Sequence, residues 1–442
     1  MPFLTRLRRP GARTAGMAAL TVTLAVLLAA CGQNHPDSTF HQRTDFNRDV
    51  DFLFKILIYA GTAVFIFVES ILILTLIKYR KRHGQPAPQH VHGNTTLEIT
   101  WTVIPLLILI MIAIPTVRTI FKTEAKARSD ALQVEVIGHQ WWWEFRYPQY
   151  GIVTANELYL PIGRTANFKL NSADVIHSFW VPALAGKRDV VTNHTNYIWY
   201  TPDSTTADAF NGACVEYCGT SHANMRFKTF TVSQADFESW AKHQQEAAAG
   251  TANATPPVLP PATNAVDSAH GVDKAKVANP GMQQAAATPA VAPATEVAQA
   301  GFVSYGADKL PAYAIPRTPL PGGLHFDDTL LGKGDPANGA KLLVGQGTCL
   351  ACHAIKGNPM MAATIGPNLT HVATRTTIGA GLYPNDARHL ARWIKNAKVM
   401  KPGVIMTTLG QGETDPQTKM KVSSGLTDQQ IADIVAYLQT LK

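Results

Sequence analysis

The 442-residue chain is long enough for several domains with separate cores. Only 16% of its residues are charged, and the net charge of +8 comes partly from Arg6, Arg8, Arg9 and Arg13 and from Lys78, Arg80, Lys81 and Arg82. Basic residues placed this way speak of membrane topology. No Lys/Arg stripe interleaved with aromatics marks a nucleic-acid face.

Residues 1–30 have a basic start, an apolar core from Ala18 to Leu28 and the ending Leu28-Ala-Ala-Cys31, the pattern of a secretory signal. That ending resembles a bacterial lipobox, which implies a lipidated Cys31 and a mature chain starting there. After an N-terminal segment (31–51), a transmembrane hairpin is expected over 52–122. Its spans, about 52–77 and 99–121, are each long enough for a hydrocarbon core of roughly 30 Å. The basic loop Lys78-Tyr-Arg-Lys-Arg-His83 places the turn in the cytoplasm and both ends of the hairpin outside.

From Leu132 to Trp240 apolar and polar residues alternate with period two, as in Gln133-Val-Glu-Val136, between turn-rich breaks such as Pro161-Ile-Gly163. An antiparallel sandwich or barrel follows over 130–243. Ser233-Gln-Ala-Asp236 opens a short helix carrying Phe237 and Trp240. Residues 244–326 are Ala- and Pro-rich over most of their length and read as a tether. A mostly helical module then occupies 327–442, ending in a helix opened by the capping box Thr427-Asp-Gln-Gln430.

All five cysteines fall inside motifs: Cys31, Cys214 with Cys218, and Cys349 with Cys352. Cys349-Leu-Ala-Cys352-His353 has the spacing of c-type haem attachment, with thioethers from both sulfurs and His353 on the iron. The sixth ligand in such sites is commonly Met, which raises the potential. Met400, Met406 and Met420 are candidates; Pro402-Gly-Val-Ile-Met406, on an irregular loop, resembles the methionine loop of class I cytochromes c, and that resemblance favours Met406 over Met400. Cys214-Val-Glu-Tyr-Cys218-Gly-Thr-Ser-His222-Ala-Asn-Met225 gathers thiolates, imidazole and thioether in one loop. Soft donors of this kind point towards copper, with zinc or a disulfide as the alternatives.

Taken together, the hairpin, this loop and the C-x-x-C-H module resemble subunit II of haem-copper cytochrome c oxidases, in the caa-type form with a fused cytochrome c domain. The resemblance implies an all-β cupredoxin-like Greek-key barrel behind the two-helix hairpin, then a disordered linker and an all-α class I cytochrome c domain. It implies a binuclear copper A centre bridged by Cys214 and Cys218. His177 and Met225 would complete one copper, and His222 and the Glu216 carbonyl the other. One covalent haem c follows from Cys349, Cys352, His353 and Met406, with Gly366-Pro-Asn-Leu369 orienting His353 through the Pro367 carbonyl. Within His139-Gln-Trp-Trp-Trp-Glu-Phe-Arg-Tyr147, Trp141 would be the electron entry point.

The same resemblance implies a magnesium shared with subunit I through the Glu216 carboxylate, and a proton-channel entrance at Glu98. It further implies subunits I and III, membrane lipid and cytochrome c or another respiratory donor as partners. The complex would sit in the bacterial inner membrane, with the large domains on the periplasmic face. An attachment to a nitric oxide reductase is the neighbouring alternative, and a membrane-anchored copper-delivery protein a more distant one. The segment Lys187–His194 departs from the family, where a Pro-Gly turn is often seen.

Overall fold

The structure, a computed structural model, describes residues 12–29, 38–80, 84, 92–124, 129–203, 208–248 and 310–442. Cys31, Lys81, Arg82 and His83 and most of the expected tether lie outside the described residues.

Helix α1 (Ala12–Ala29) covers the apolar core of the leader. Helices α2 (Asp45–Lys78) and α3 (Thr95–Glu124) are long and apolar enough to cross a membrane, and their apolar side chains are exposed along their lengths. Both exceed the spans read from hydropathy. For α2 the excess has a cause: its first turns pack on protein. Thr44 caps the helix by accepting from the Asn47 amide, Asn47 Nδ2 donates to the Pro182 carbonyl at 2.8 Å, and the Thr201 amide donates to Asp45 at 2.9 Å. Phe46 is buried in the core of the β domain. The hairpin thus runs as continuous helix into that domain, and Lys122–Asp49 (2.6 Å) ties the outer ends of α2 and α3 together.

Two five-stranded sheets form the β domain. One has the order β3 (Ile152–Ala155), β2 (Trp142–Tyr147), β1 (Leu132–His139), β5 (Ala166–Ser172), β8 (Asn196–Tyr200). The other has the order β4 (Glu157–Pro161), β10 (Arg226–Val232), β9 (Asp208–Cys214), β6 (His177–Trp180), β7 (Arg188–Val190). The pairs β1–β5 and β4–β10 are parallel, where alternation alone suggested an antiparallel arrangement. A period of two reports which face a side chain occupies and is silent on strand direction. β1 follows the alternation throughout, burying Leu132, Val134 and Val136. β4 is buried on both faces because α4 (Gln234–Gln245) covers its outer side, with Trp240 stacked on Tyr159 at 4.6 Å between centroids. The core between the sheets is aromatic: Trp143, Phe145, Phe179 and Phe227 meet at centroid distances of 5.0 to 6.4 Å. This is the cupredoxin-like fold, with β6, β9 and the start of β10 leading to one rim.

Residues 310–326, within the expected tether, pack on the β domain at their start, where Leu310 and Ala314 join its core. A separate core then forms around α5 (Pro336–Val344), α6 (Ala387–Met400) and α7 (Asp428–Leu438). Gly334 and Gly339 lie against the α7 backbone, where a Cβ would come within 2.2 Å of the Ala432 oxygen and 2.0 Å of the Asp433 oxygen. The capping box of α7 is present in both directions between Thr427 and Gln430. A hairpin, β11 (Thr377–Ile378) and β12 (Tyr383–Pro384), projects from this module.

Candidate metal and haem sites

The rim loop after β9 and the start of β6, at His177, bring the soft donors together. Cys214 and Cys218 Sγ are 3.7 Å apart, well beyond the roughly 2.05 Å of a disulfide. Cys214 Sγ lies 3.9 Å from His177 Nδ1 and 3.2 Å from the Glu216 carbonyl, whereas Cys218 Sγ lies 3.7 Å from His222 Nδ1 and 3.9 Å from Met225 Sδ. His177, Met225 and both cysteines are buried, and the Glu216 side chain is exposed. Among the described residues the metal-binding cluster of His, Cys, Asp and Glu is His177, Cys214 and Cys218, with all ligand atoms within 4.8 Å. That donor set fits a soft metal.

The charges support the same use. Donation from Cys218 and the neighbouring His177 hold the Cys214 thiol down to about 3 against burial, while sharing that proton pushes Cys218 up. His177 turns its other nitrogen, Nε2, to Asp174 Oδ1 at 2.8 Å. Asp174 also accepts from the Gln140 and Val175 amides at 2.6 and 2.7 Å. Burial works against the Asp174 carboxylate, yet these bonds hold it below its usual range. This carboxylate fixes the imidazole with Nδ1 towards the sulfurs. The sequence reading missed Asp174, although a carboxylate three residues before a candidate ligand is a usable signal.

In the helical module, Cys349–Ala351 forms a short 3₁₀ turn in which the His353 amide donates to the Cys349 carbonyl at 3.0 Å, setting both cysteines and His353 on one cavity. His353 Nδ1 bonds the Pro367 carbonyl at 2.7 Å, leaving Nε2 for a ligand. Burial keeps this imidazole below its ordinary pKa, in the neutral form a metal needs. Gly366 lies flat on the ring, where a Cβ would fall 2.7 Å from Cε1. The cavity wall is largely apolar, with Leu343, Leu369, Ile378 and Ile394 among its residues, and Met406 lines it too. Met400 is instead buried in the core, and Met420 is 69% exposed. A haem bound through two thioethers and His353 fits this cradle.

The same cavity is lined by Gln140, Trp141, Trp142 and Asn156 of the β domain. Trp141 Nε1 donates to the Cys218 carbonyl at 2.9 Å, and its ring covers Gly403, where a Cβ would lie 2.7 Å from Cζ3. Trp142 stacks on His139 at 4.2 Å and Trp143 is core. Lys401, also unforeseen, is buried between the modules, donating to the Trp141 carbonyl at 2.6 Å and the Gly379 carbonyl at 3.1 Å. Burial brings its ammonium down to about 7. Glu98 lies in the first turn of α3, exposed, far in sequence from either site.

Comparison with known proteins agrees with this layout. Family models describe residues 34–119 as cytochrome c oxidase subunit II, transmembrane domain, 151–232 as its periplasmic domain, and 336–442 as cytochrome c. Cytochrome c oxidase subunit 2 of Alkalihalophilus pseudofirmus is 28% identical over 385 residues, covering 86% of this chain and 83% of that one. A probable cytochrome c oxidase subunit 2 of Rickettsia bellii is 32% identical over 218 residues, 45% of this chain and 80% of that one. The periplasmic domain of subunit II of cytochrome oxidase from Bradyrhizobium japonicum aligns structurally at 26% identity and a TM-score of 0.26, covering 27% of this chain and 97% of that one. The chain belongs to the cytochrome c oxidase subunit II family and carries a cytochrome c domain fused behind the periplasmic domain.

Proposed function

We propose that this membrane-anchored chain is the electron-entry subunit of a terminal cytochrome c oxidase. It takes electrons from a respiratory donor at the haem c domain and delivers them through a binuclear copper A centre to catalytic subunit I, where oxygen is reduced and protons are pumped. The observation that carries this reading is Trp141, whose indole is bonded to the Cys218 backbone on one side and lines the haem cavity on the other. The domain limits read from the sequence, 130–243 for copper and 327–442 for haem, are part of the proposal.

When bound, the two cofactors supply one-electron redox chemistry, and the protein sets geometry, dielectric and access. Cys214, Cys218, His177, His222, Met225 and the Glu216 carbonyl would hold the copper, the two thiolates serving as its shared soft donors. Asp174 orients His177, and burial of the sulfurs excludes water. On the haem side Cys349 and Cys352 would attach the haem, His353 and Met406 would ligate its iron, and the Pro367 carbonyl holds the His353 imidazole. Lipidation at Cys31, a magnesium at Glu216 shared with subunit I, a proton-channel entrance at Glu98, and subunit III as a further partner complete the proposal, in a bacterial inner membrane.

Two expectations arise directly. Gly138 touches His177, where a Cβ would lie 2.6 Å from Cδ2. Gly138→Ala is expected to displace the imidazole and weaken copper retention about 10- to 100-fold, the scale of disturbed outer-shell support. Chelator titration of the variant checks this, and a native curve rejects it. For the function itself, the purified membrane complex should consume oxygen with reduced cytochrome c, and lose that activity on Cys214→Ser. Nitric oxide as the only accepted substrate overturns the oxidase reading.

A further inference from the structure

The surface on which the haem c domain sits is built around a carboxylate that neither site uses. Glu157 opens β4 at the rim of the copper domain, after Asn156 at φ +60°, and is buried. Its Oε1 accepts from the Thr376 amide at 2.7 Å, the Thr376 hydroxyl at 2.6 Å and the Thr377 amide at 3.2 Å, all from the haem c domain. A buried carboxylate needs such partners, and bonds to a charged acceptor belong to the stronger class. Burial pushes the Glu157 carboxyl up, opposed by Thr376 and by the positive charge of Arg375, which precedes the two threonines.

Those threonines lead into the turn Gly379-Ala380-Gly381, whose φ angles are +65°, +63° and +78°. The Ala380 carbonyl accepts from the Arg226 amide at 3.2 Å, and a Cβ on Gly381 would lie 3.3 Å from Arg226 Cβ. The hairpin is therefore seated between Glu157 and Arg226. Beyond it, Lys401 bonds both Gly379 and Trp141, and Ser221 donates to the Pro402 carbonyl. A tether of the expected length keeps the domains near each other but fixes no orientation. These contacts supply one, and in it Trp141 is only 9% exposed.

We propose that Glu157 is a positioning residue: its buried carboxylate receives the Thr376–Gly381 turn and holds the haem c domain on the copper domain, with Trp141 covered between the two sites. The importance of this docking for electron delivery rests on the function proposed above, whereas the docking itself is independent of it.

Hydrogen exchange by mass spectrometry on the purified complex tests the docking without reference to turnover. In Glu157→Ala, exchange is expected to rise at least about tenfold at Thr376–Gly381, and also at the facing segments 219–222 and 401–403, with the haem and copper spectra native. The remote segments matter, because a residue that only supported its own strand would not deprotect them. Glu157→Gln keeps an accepting oxygen and should restore part of the protection. Thr376→Val removes one bond from the haem side, and a smaller rise at the same segments is expected. It decides the matter if Glu157→Ala loses its copper spectrum. Native exchange at 219–222 and 401–403 in Glu157→Ala, or in Thr376→Val where it must decide, overturns the proposal. Native protection in a complex found to lack copper or haem would instead count against the function alone.

Discussion

Replacing Cys214 with serine is expected to remove the copper centre. The Cys214 sulfur lies at the centre of the donor set, 3.7 Å from the second sulfur, 3.9 Å from His177 and 3.2 Å from the Glu216 carbonyl. A serine hydroxyl is a hard, neutral donor with little affinity for soft copper. Since losing mere outer-shell support costs roughly 10- to 100-fold in metal affinity, loss of a thiolate ligand itself should exceed about 100-fold. Copper analysis and the visible spectrum of the purified complex check this, and oxygen uptake should fall with them. Haem content should not change, because the haem module has its own core. Native copper content and spectrum in the variant would reject the assignment.

The second large effect is expected at Met406. Met406→Ala leaves Cys349, Cys352 and His353 in place, so haem stays attached, but removes the thioether side chain that lines the cavity. A Met axial ligand raises the haem potential, and axial ligands command a range of about 0.8 V. A fall on the order of 100 mV is expected, read by redox titration; an unchanged potential rejects Met406 as the ligand. Met400→Ala makes the contrast. Met400 is 4% exposed in the core, with its carbonyl held by Tyr383 Oη at 2.8 Å. It should cost about 2–5 kcal/mol of stability by leaving a cavity, with the potential close to native.

The parts of this account that were legible in the sequence are those whose residues are neighbours in the chain. Cys214 to Met225 and Cys349 to His353 are complete within single loops, so spacing alone pointed to soft metal and haem. His177 was different: 37 positions from Cys214, it entered only through the family resemblance. The hydropathy of α2 ended where its lipid-facing stretch ended, but the helix begins seven residues earlier than the expected span, at Asp45, because Asn47 and Phe46 find partners in the β domain. The docking face was not legible at all. Glu157 and Thr376 are 219 positions apart, and in sequence each reads as an ordinary polar residue. Lys401, beside Pro402, has no alternating apolar pattern around it to signal burial, yet it is 1% exposed.

The central claim is that electrons reach the copper pair from the haem of the same chain. The most direct measurement is rapid anaerobic mixing of the intact oxidised complex with less than one equivalent of reduced cytochrome c, while the haem and copper bands are followed together. The account predicts that the haem of this chain is reduced first and that the copper band then bleaches in step with its reoxidation. Haem reoxidised with no change in the copper band would contradict it.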